Sequence, residues 1–201
     1  MTPDALRAWR KRERDRLVAA RLALPAAELT ARRHAMDRHI ERAFPDLANG
    51  VVALCWPYRN EYDARFLARR LRAQGAITAL PVVVKPKAPL VFREWHPGTA
   101  LARGVYDIPY PTAASPDVQP DHVLLPMNGF DEAGYRLGYG GGFFDRTLAA
   151  AAKRPRVIGV TFELARIPTI HPQPYDIPMD FVVTERGVYE RAGGRLAFAG
   201  G

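Results

Sequence analysis

Val51-Val-Ala-Leu-Cys-Trp-Pro-Tyr-Arg-Asn-Glu-Tyr-Asp-Ala-Arg-Phe-Leu-Ala-Arg-Arg-Leu-Arg-Ala-Gln-Gly-Ala-Ile-Thr-Ala-Leu-Pro-Val-Val-Val84 reads as strand, helix, strand. Val51–Trp56 is almost all apolar, as a strand buried on both faces must be. Pro57–Tyr62 is a loop, and residues 63–74 carry a helical pattern with Phe66, Leu67 and Leu71 inward. Gly75 supplies the stop, and Ile77–Val84 is the next strand. Two strands joined through a helix pair in parallel with a right-handed crossover.

Outward from this unit, Thr2-Pro3-Asp4 marks a helix start, and the apolar stripe Leu6, Trp9, Leu17 and Leu24 follows. Pro25 ends that helix and opens a second, with Leu29, Met36, Ile40 and Phe44 facing inward. Beyond residue 84, Leu90–Trp95 is a strand, the Pro- and Gly-rich residues 97–120 are loop, and Val123–Pro126 is a short buried strand. A helix over 143–153, a strand over 156–162, a loop over 168–178, a strand over 181–184 and a terminal hairpin around Gly193-Gly194 complete the pattern. The fold class is α/β, with two leading helices and mostly parallel strands, in one domain spanning residues 1–201.

Composition excludes several functions. The only cysteine, Cys55, forms no internal disulfide, and its place in an apolar run reads as a strand residue rather than a catalytic thiol. Histidines 34, 39, 96, 122 and 171 lack metal-ligand spacing, so no zinc site is expected. The early residues lack the apolar core of a signal peptide, and no segment is long enough to span a bilayer. A soluble cytoplasmic protein without a membrane partner is the expectation, and a monomer. The net charge is +8, with 11 Lys/Arg against 6 acids in residues 1–42 alone. Such a basic helical region suits an anionic small ligand, nucleic acid, or simply a solvated face salted with Arg–acid pairs. Basic and aromatic residues do not interleave there, so nucleic acid is the weaker reading, and no nucleic-acid partner is expected.

The densest chemical signal is Arg136-Leu-Gly-Tyr-Gly-Gly-Gly-Phe-Phe-Asp145, with four glycines between 138 and 142. Glycine-rich backbone running into a helix presents unpaired N–H groups and the positive end of the helix dipole to an anion. Arg136 adds a forked cation for phosphate, and Asp145 a hard oxygen ligand for Mg²⁺. Phosphate, arginine and metal together suggest a nucleotide. The stretch is neither a Walker loop nor a dinucleotide fingerprint: no Gly-x-x-x-x-Gly-Lys-Ser/Thr occurs, and Phe143 occupies the third required glycine position. It follows the strand 123–126, as the Trp56–Glu61 loop follows the strand 51–56, so both belong at the carboxyl edge of the sheet.

With its flanks, Pro126-Met-Asn-Gly-Phe-Asp131 and Gly134 to Arg146, the stretch resembles the signature of the 5-formyltetrahydrofolate cyclo-ligases. Leu90-Val-Phe-Arg-Glu-Trp95 with Pro97-Gly98, Asp176-Ile-Pro-Met-Asp180-Phe-Val-Val-Thr-Glu185, and Arg10 and Arg14 ahead of Arg21-Leu-Ala-Leu24 resemble further family segments. The resemblance implies a three-layer sandwich around a mostly parallel central sheet. It implies ATP- and Mg²⁺-dependent closure of 5-formyltetrahydrofolate to 5,10-methenyltetrahydrofolate: the formyl oxygen takes the γ-phosphoryl group, N10 attacks, and phosphate leaves. By the same resemblance ATP is bound by Arg10, Arg14, Arg136, Leu137, Gly138, Tyr139, Gly140, Gly141, Gly142, Phe143 and Phe144, and the metal by Asp145 and Asp180. The folate is held by Trp56 and Glu61 and partly by Tyr139–Phe143, and Arg136 and Glu61 carry the catalytic roles. Arg10 stands where a lysine is usual, Phe144 where a tyrosine is common, and Ile108-Pro-Tyr110-Pro111 lacks a glutamate often found there. An ATP-dependent relative acting on another folate or amide is the alternative.

Overall fold

Helix α1 (Pro3–Leu22) starts where the sequence says it must: the Thr2 hydroxyl accepts the Ala5 N–H at 3.3 Å, with proline in the first turn and Asp4 at the positive end of the dipole. α2 (Ala26–Ala43) opens after Pro25. The computed structural model describes residues 1–201, apart from the side chain of Val105. After α2 come β1 (Val51–Leu54), α3 (Arg65–Gln74), β2 (Ile77–Val82), β3 (Val91–Glu94), β4 (Leu101–Arg103), β5 (Pro109–Pro111) and β6 (Asp117–Val118). The second half holds β7 (His122–Pro126), β8 (Gly129–Asp131), β9 (Arg136–Leu137), α4 (Phe143–Ala150), β10 (Arg156–Val160), β11 (Arg166–Ile167), β12 (Phe181–Thr184), β13 (Gly187–Ala192) and β14 (Arg195–Gly200).

The main sheet has nine strands in the order β14-β13-β12-β10-β7-β1-β2-β3-β6. The five central strands, β12 to β2, are parallel, and antiparallel strands flank them on both sides. Strand side chains alternate between faces, so neighbours in sequence feed different cores. Val52, Leu54, Leu124, Ile158 and Val183 pack with Met36 and Ile40 of α2 and Leu67 and Leu71 of α3. Ala53, Val123, Leu125, Val157 and Val182 pack on the other side with Leu148 of α4 and Phe130 of β8. Helices, sheet, and a second layer of α4 with the small sheet β11-β8-β9 make the three-layer α/β sandwich.

The crossovers β1-α3-β2 and β7-α4-β10 step away from β1 and β7 in opposite directions along the sheet. Right-handedness then puts α3 and α4 on opposite faces. It also leaves a crevice at the carboxyl ends of β1 and β7, where the strand order reverses and ligands bind in such sheets.

Two expectations need correction. Residues 97–120 are not featureless loop: β4 and β5 pair as an antiparallel ribbon and β6 extends the main sheet. Strands of two or three residues rich in proline show no alternation to read. Phe66 does not face inward. α3 buries Leu67, Ala68 and Leu71, and Phe66, a 100° step away, lies 42 % exposed under the Arg33 guanidinium, 4.0 Å from its ring centre.

Candidate active site

A cleft of about 1080 Å³ opens over the crevice. Its walls are the loop after β1 (Trp56, Tyr58, Glu61), the glycine loop, Arg10 and Arg14 of α1, the segment 174–177, and Tyr106–Tyr110 of the β4–β5 ribbon. Its volume lies just above the usual range for small-molecule sites, about 300–1,000 Å³, which leaves room for more than one ligand.

In the glycine loop, Gly140 (φ 90) and Gly142 (φ 63) hold left-handed backbone that a side chain resists. Gly138 is different. Its φ lies outside that region and a Cβ there would meet nothing within 4 Å, so neither conformation nor packing demands glycine. What its bareness permits is close approach of a ligand to the main chain. Among the described residues, the N–H groups of Tyr139 to Gly142 meet no acceptor, and α4 begins at Phe143 with its first-turn N–H groups facing the same way. Arg14 lies against this loop: its Nε donates to the Gly138 carbonyl at 2.6 Å and its guanidinium covers Gly140. Burial lowers the Arg14 pKa from the ordinary arginine value, against the attraction of Asp15. Arg146 folds back from α4 to donate to the Gly141 carbonyl at 2.6 Å.

Arg136 and Arg10 face the cleft with fewer donors to spare. Arg136 donates to the Ile177 carbonyl at 2.6 Å and to Asp145 Oδ1 at 2.7 Å. Arg10 donates to the carbonyls of Ile170 (3.1 Å) and His171 (2.9 Å) and to Asp176 Oδ2 at 2.6 Å. It pins the 168–178 loop over the cleft, a role distinct from the direct phosphate contact the resemblance implies.

Asp145 and Asp176 are the two aspartates of the cleft. The Ile177 N–H donates to Asp145 Oδ1 at 3.1 Å, which ties the two segments together. Each aspartate has one oxygen, Oδ2 of Asp145 and Oδ1 of Asp176, without a partner among the described residues.

Asp180, expected beside Asp145, lies elsewhere. It precedes β12 at the amino end of the parallel strands, where its Oδ2 accepts the Val157 N–H at 2.7 Å and its Oδ1 pairs with Arg154 at 2.8 Å. It does not line the cleft, so pairing it with Asp145 around one metal is corrected: Asp176 is the carboxylate beside Asp145. Both aspartates sit in one short motif, and the resemblance alone did not separate them. The edge rule did hold the signal, because a residue directly before a parallel strand lies on the far side from the ligand.

On the opposite wall, Trp56 packs edge-on to Trp95 at 6.1 Å and carries the Arg65 guanidinium 4.4 Å from its ring centre. It is half-buried, part core and part cleft wall. Glu61 is buried: Oε2 accepts the Tyr58 N–H and Oε1 the Tyr139 hydroxyl, both at 3.0 Å. Burial raises its pKa, opposed by Arg21, whose Nη2 lies 3.8 Å from Oε1, and by the two hydrogen bonds. The Tyr139 hydroxyl is itself pushed up by burial and by Glu61. Arg21, absent from the sequence-level site, is 3 % exposed. Its sequence signal was the helical spacing 10, 14, 17, 21 along one face of α1. At the end of β1, burial and Glu61 hold the Cys55 thiol far up, neutral and unsuited to nucleophilic work.

Three comparisons bear on what this cleft belongs to. Residues 6–185 match the family model described as the 5-formyltetrahydrofolate cyclo-ligase family. The chain is 32 % identical over 146 residues to the 5-formyltetrahydrofolate cyclo-ligase of Escherichia coli (strain K12), covering 70 % of this chain and 80 % of that protein. It is 34 % identical over 150 residues to the enzyme of the same name from Mycolicibacterium smegmatis, covering 71 % and 77 %. Among solved structures, the NMR structure of Aquifex aeolicus 5,10-methenyltetrahydrofolate synthetase superposes with a TM-score of 0.79 at 25 % identity, covering 92 % of this chain and 94 % of that one.

Proposed function

The chain belongs to the 5-formyltetrahydrofolate cyclo-ligase family, and from that premise we propose that it uses ATP to close 5-formyltetrahydrofolate into 5,10-methenyltetrahydrofolate, releasing ADP and phosphate. One observation carries the reading: a single cleft sets a bare, N–H-lined glycine loop under Arg14 against a flat tryptophan and a buried carboxylate. The first half suits a triphosphate, the second a pterin ring with hydrogen-bonding nitrogens.

The γ-phosphate lies along the Gly138–Gly142 backbone, with Arg14 and Arg136 balancing its charge. The pterin lies against Trp56, with Glu61 accepting a hydrogen bond from it, and Tyr139–Phe143 form the shared wall. Asp145 and Asp176 would hold a magnesium ion: both are hard oxygen donors and each keeps one uncommitted oxygen. Bound there, magnesium neutralises phosphate charge.

The formyl oxygen attacks the γ-phosphorus and the bond to the β-phosphate oxygen breaks, giving ADP and a phosphorylated imidate. N10 then attacks the activated carbon and gives up its proton to the departing phosphate, the carbon–oxygen bond breaks, and phosphate leaves with the formyl oxygen. No enzyme nucleophile is needed. The chain's contribution is orientation and fixed positive charge, the two terms that dominate phosphoryl transfer.

Purified protein with ATP, Mg²⁺ and 5-formyltetrahydrofolate is expected to generate the absorbing methenyl product, and none when ATP or Mg²⁺ is omitted. ATP consumption on a different folate or amide, with no methenyl product, would transfer the chain to another reaction on the same scaffold.

A further inference from the structure

Arg21 meets three separate segments around Glu61 at once. Its Nε donates to the Arg59 carbonyl at 2.8 Å. Its Nη2 donates to Asn128 Oδ1 and to the Tyr139 hydroxyl, both at 3.1 Å. The same Nη2 lies 3.8 Å from Glu61, and both side chains are under 5 % exposed. The Arg59 carbonyl belongs to an unusual turn: Arg59 (φ 50) and Asn60 (φ 57) both hold left-handed backbone immediately before Glu61. Asparagine takes such angles readily, but a long side chain such as that of Arg59 keeps them where its surroundings impose them.

We infer that Arg21 is a positioning residue that locks the Tyr58–Glu61 turn to the glycine loop and sets the Glu61 carboxylate in place as a hydrogen-bond acceptor for the folate. The inference rests on the proposed folate role of Glu61. Nothing else facing Glu61 does this work. Tyr58 offers only its N–H, Tyr139 a neutral hydroxyl and Cys55 a neutral thiol, so among the described residues Arg21 is the positive charge set against the burial cost. The Tyr139 hydroxyl accepts from Arg21 and donates to Glu61, which fixes its direction and joins the two halves of the cleft.

Without Arg21, a buried carboxylate loses its counter-charge and holds its proton to higher pH. A folded-state pKa raised above the unfolded value means that the native state binds more protons, so stability falls as pH rises through that interval. Removing Arg21 widens the interval upward.

The test is urea unfolding of wild type, Arg21→Met, Arg21→Lys, Glu61→Gln and the Arg21→Met/Glu61→Gln double variant between about pH 5.5 and about pH 8. The stability gap between wild type and Arg21→Met is expected to grow with pH and to lose its pH dependence in the Glu61→Gln background. Arg21→Lys retains the charge without the fork, so its gap should not grow with pH. In binding measurements, Arg21→Met and Arg21→Lys should each weaken 5-formyltetrahydrofolate roughly tenfold while ATP affinity moves less than about threefold. A gap independent of pH, or unchanged folate affinity in Arg21→Lys, overturns the inference. If Arg21→Met folds only when Glu61 is also Gln, the coupling is present. If neither background folds, Arg21→Lys decides. The unfolding arm uses no ligand, so it stands or falls separately from the cyclisation assay, and wild type that binds no folate at all refutes the proposed function instead.

Discussion

At the scale of single residues, Asp145 and Asp180, the two carboxylates that the resemblance pairs around one metal, part company. Asp145 sits in the cleft with one free oxygen, and Asp180 is consumed by Arg154 and the Val157 N–H at the far edge. Asp145→Asn is expected to lower turnover by two orders of magnitude or more, about 3 kcal/mol of transition-state stabilisation, and to raise the Mg²⁺ requirement. Asp180→Asn should leave the Mg²⁺ dependence untouched and cost about 1 kcal/mol in urea unfolding. Similar Mg²⁺ curves for both variants would contradict the assignment. Gly138→Ala makes a sharper test: with open space around the added methyl group, stability should change by less than about 0.5 kcal/mol while the KM for ATP rises. A loss of stability with ATP affinity intact would make the glycine structural. Trp56, Glu61 and Arg14 entered only through the family resemblance, and the glycine loop alone was legible in the sequence because its chemistry is local. Arg21 and Asp176 were not, because what distinguishes them is who faces them across the fold.

At the scale of elements, α1 explains how a basic helix serves a cleft. Its outer face pairs Lys11 with Asp15, and Arg16 with Glu13, in solvent, where such pairs add little. Its inner face runs Arg10, Arg14, Leu17, Arg21, and Leu17 is the apolar anchor, 1 % exposed against Leu137, Ile167 and Ile170. Leu17→Ala is expected to destabilise the fold by about 2–5 kcal/mol and, by loosening the helix that carries Arg14 and Arg21, to raise KM for both substrates. Denaturant unfolding with initial-rate kinetics checks this, and unchanged KM values at reduced stability would mean that α1 does not set the cleft. Elements with a clear signal, such as the apolar run of β1 and the helical spacing of α2 and α3, could be read from the chain. The β4–β5 ribbon could not, since three-residue strands leave no period, and it supplies the Tyr106 ring stacked on Tyr58 at 5.9 Å.

At the scale of the whole molecule, the order of strands creates the function's location. Two crossovers diverging from β1 and β7 leave one crevice, and every loop with chemistry to offer reaches it: the loop after β1, the glycine loop after β7 and β9, and the 168–178 segment pinned by Arg10. Parallel strands at the centre were legible from the two strand–helix–strand patterns. The antiparallel placement of β3 and β6 was not, because edge pairing depends on partners distant in sequence. The central claim is that this one cleft brings ATP to the formyl oxygen of the folate. Turnover of substrate carrying heavy oxygen in its formyl group, with the released phosphate examined by mass spectrometry, tests it most directly. One heavy oxygen is expected in each phosphate released. Heavy oxygen found in water instead, with unlabelled phosphate, would contradict it.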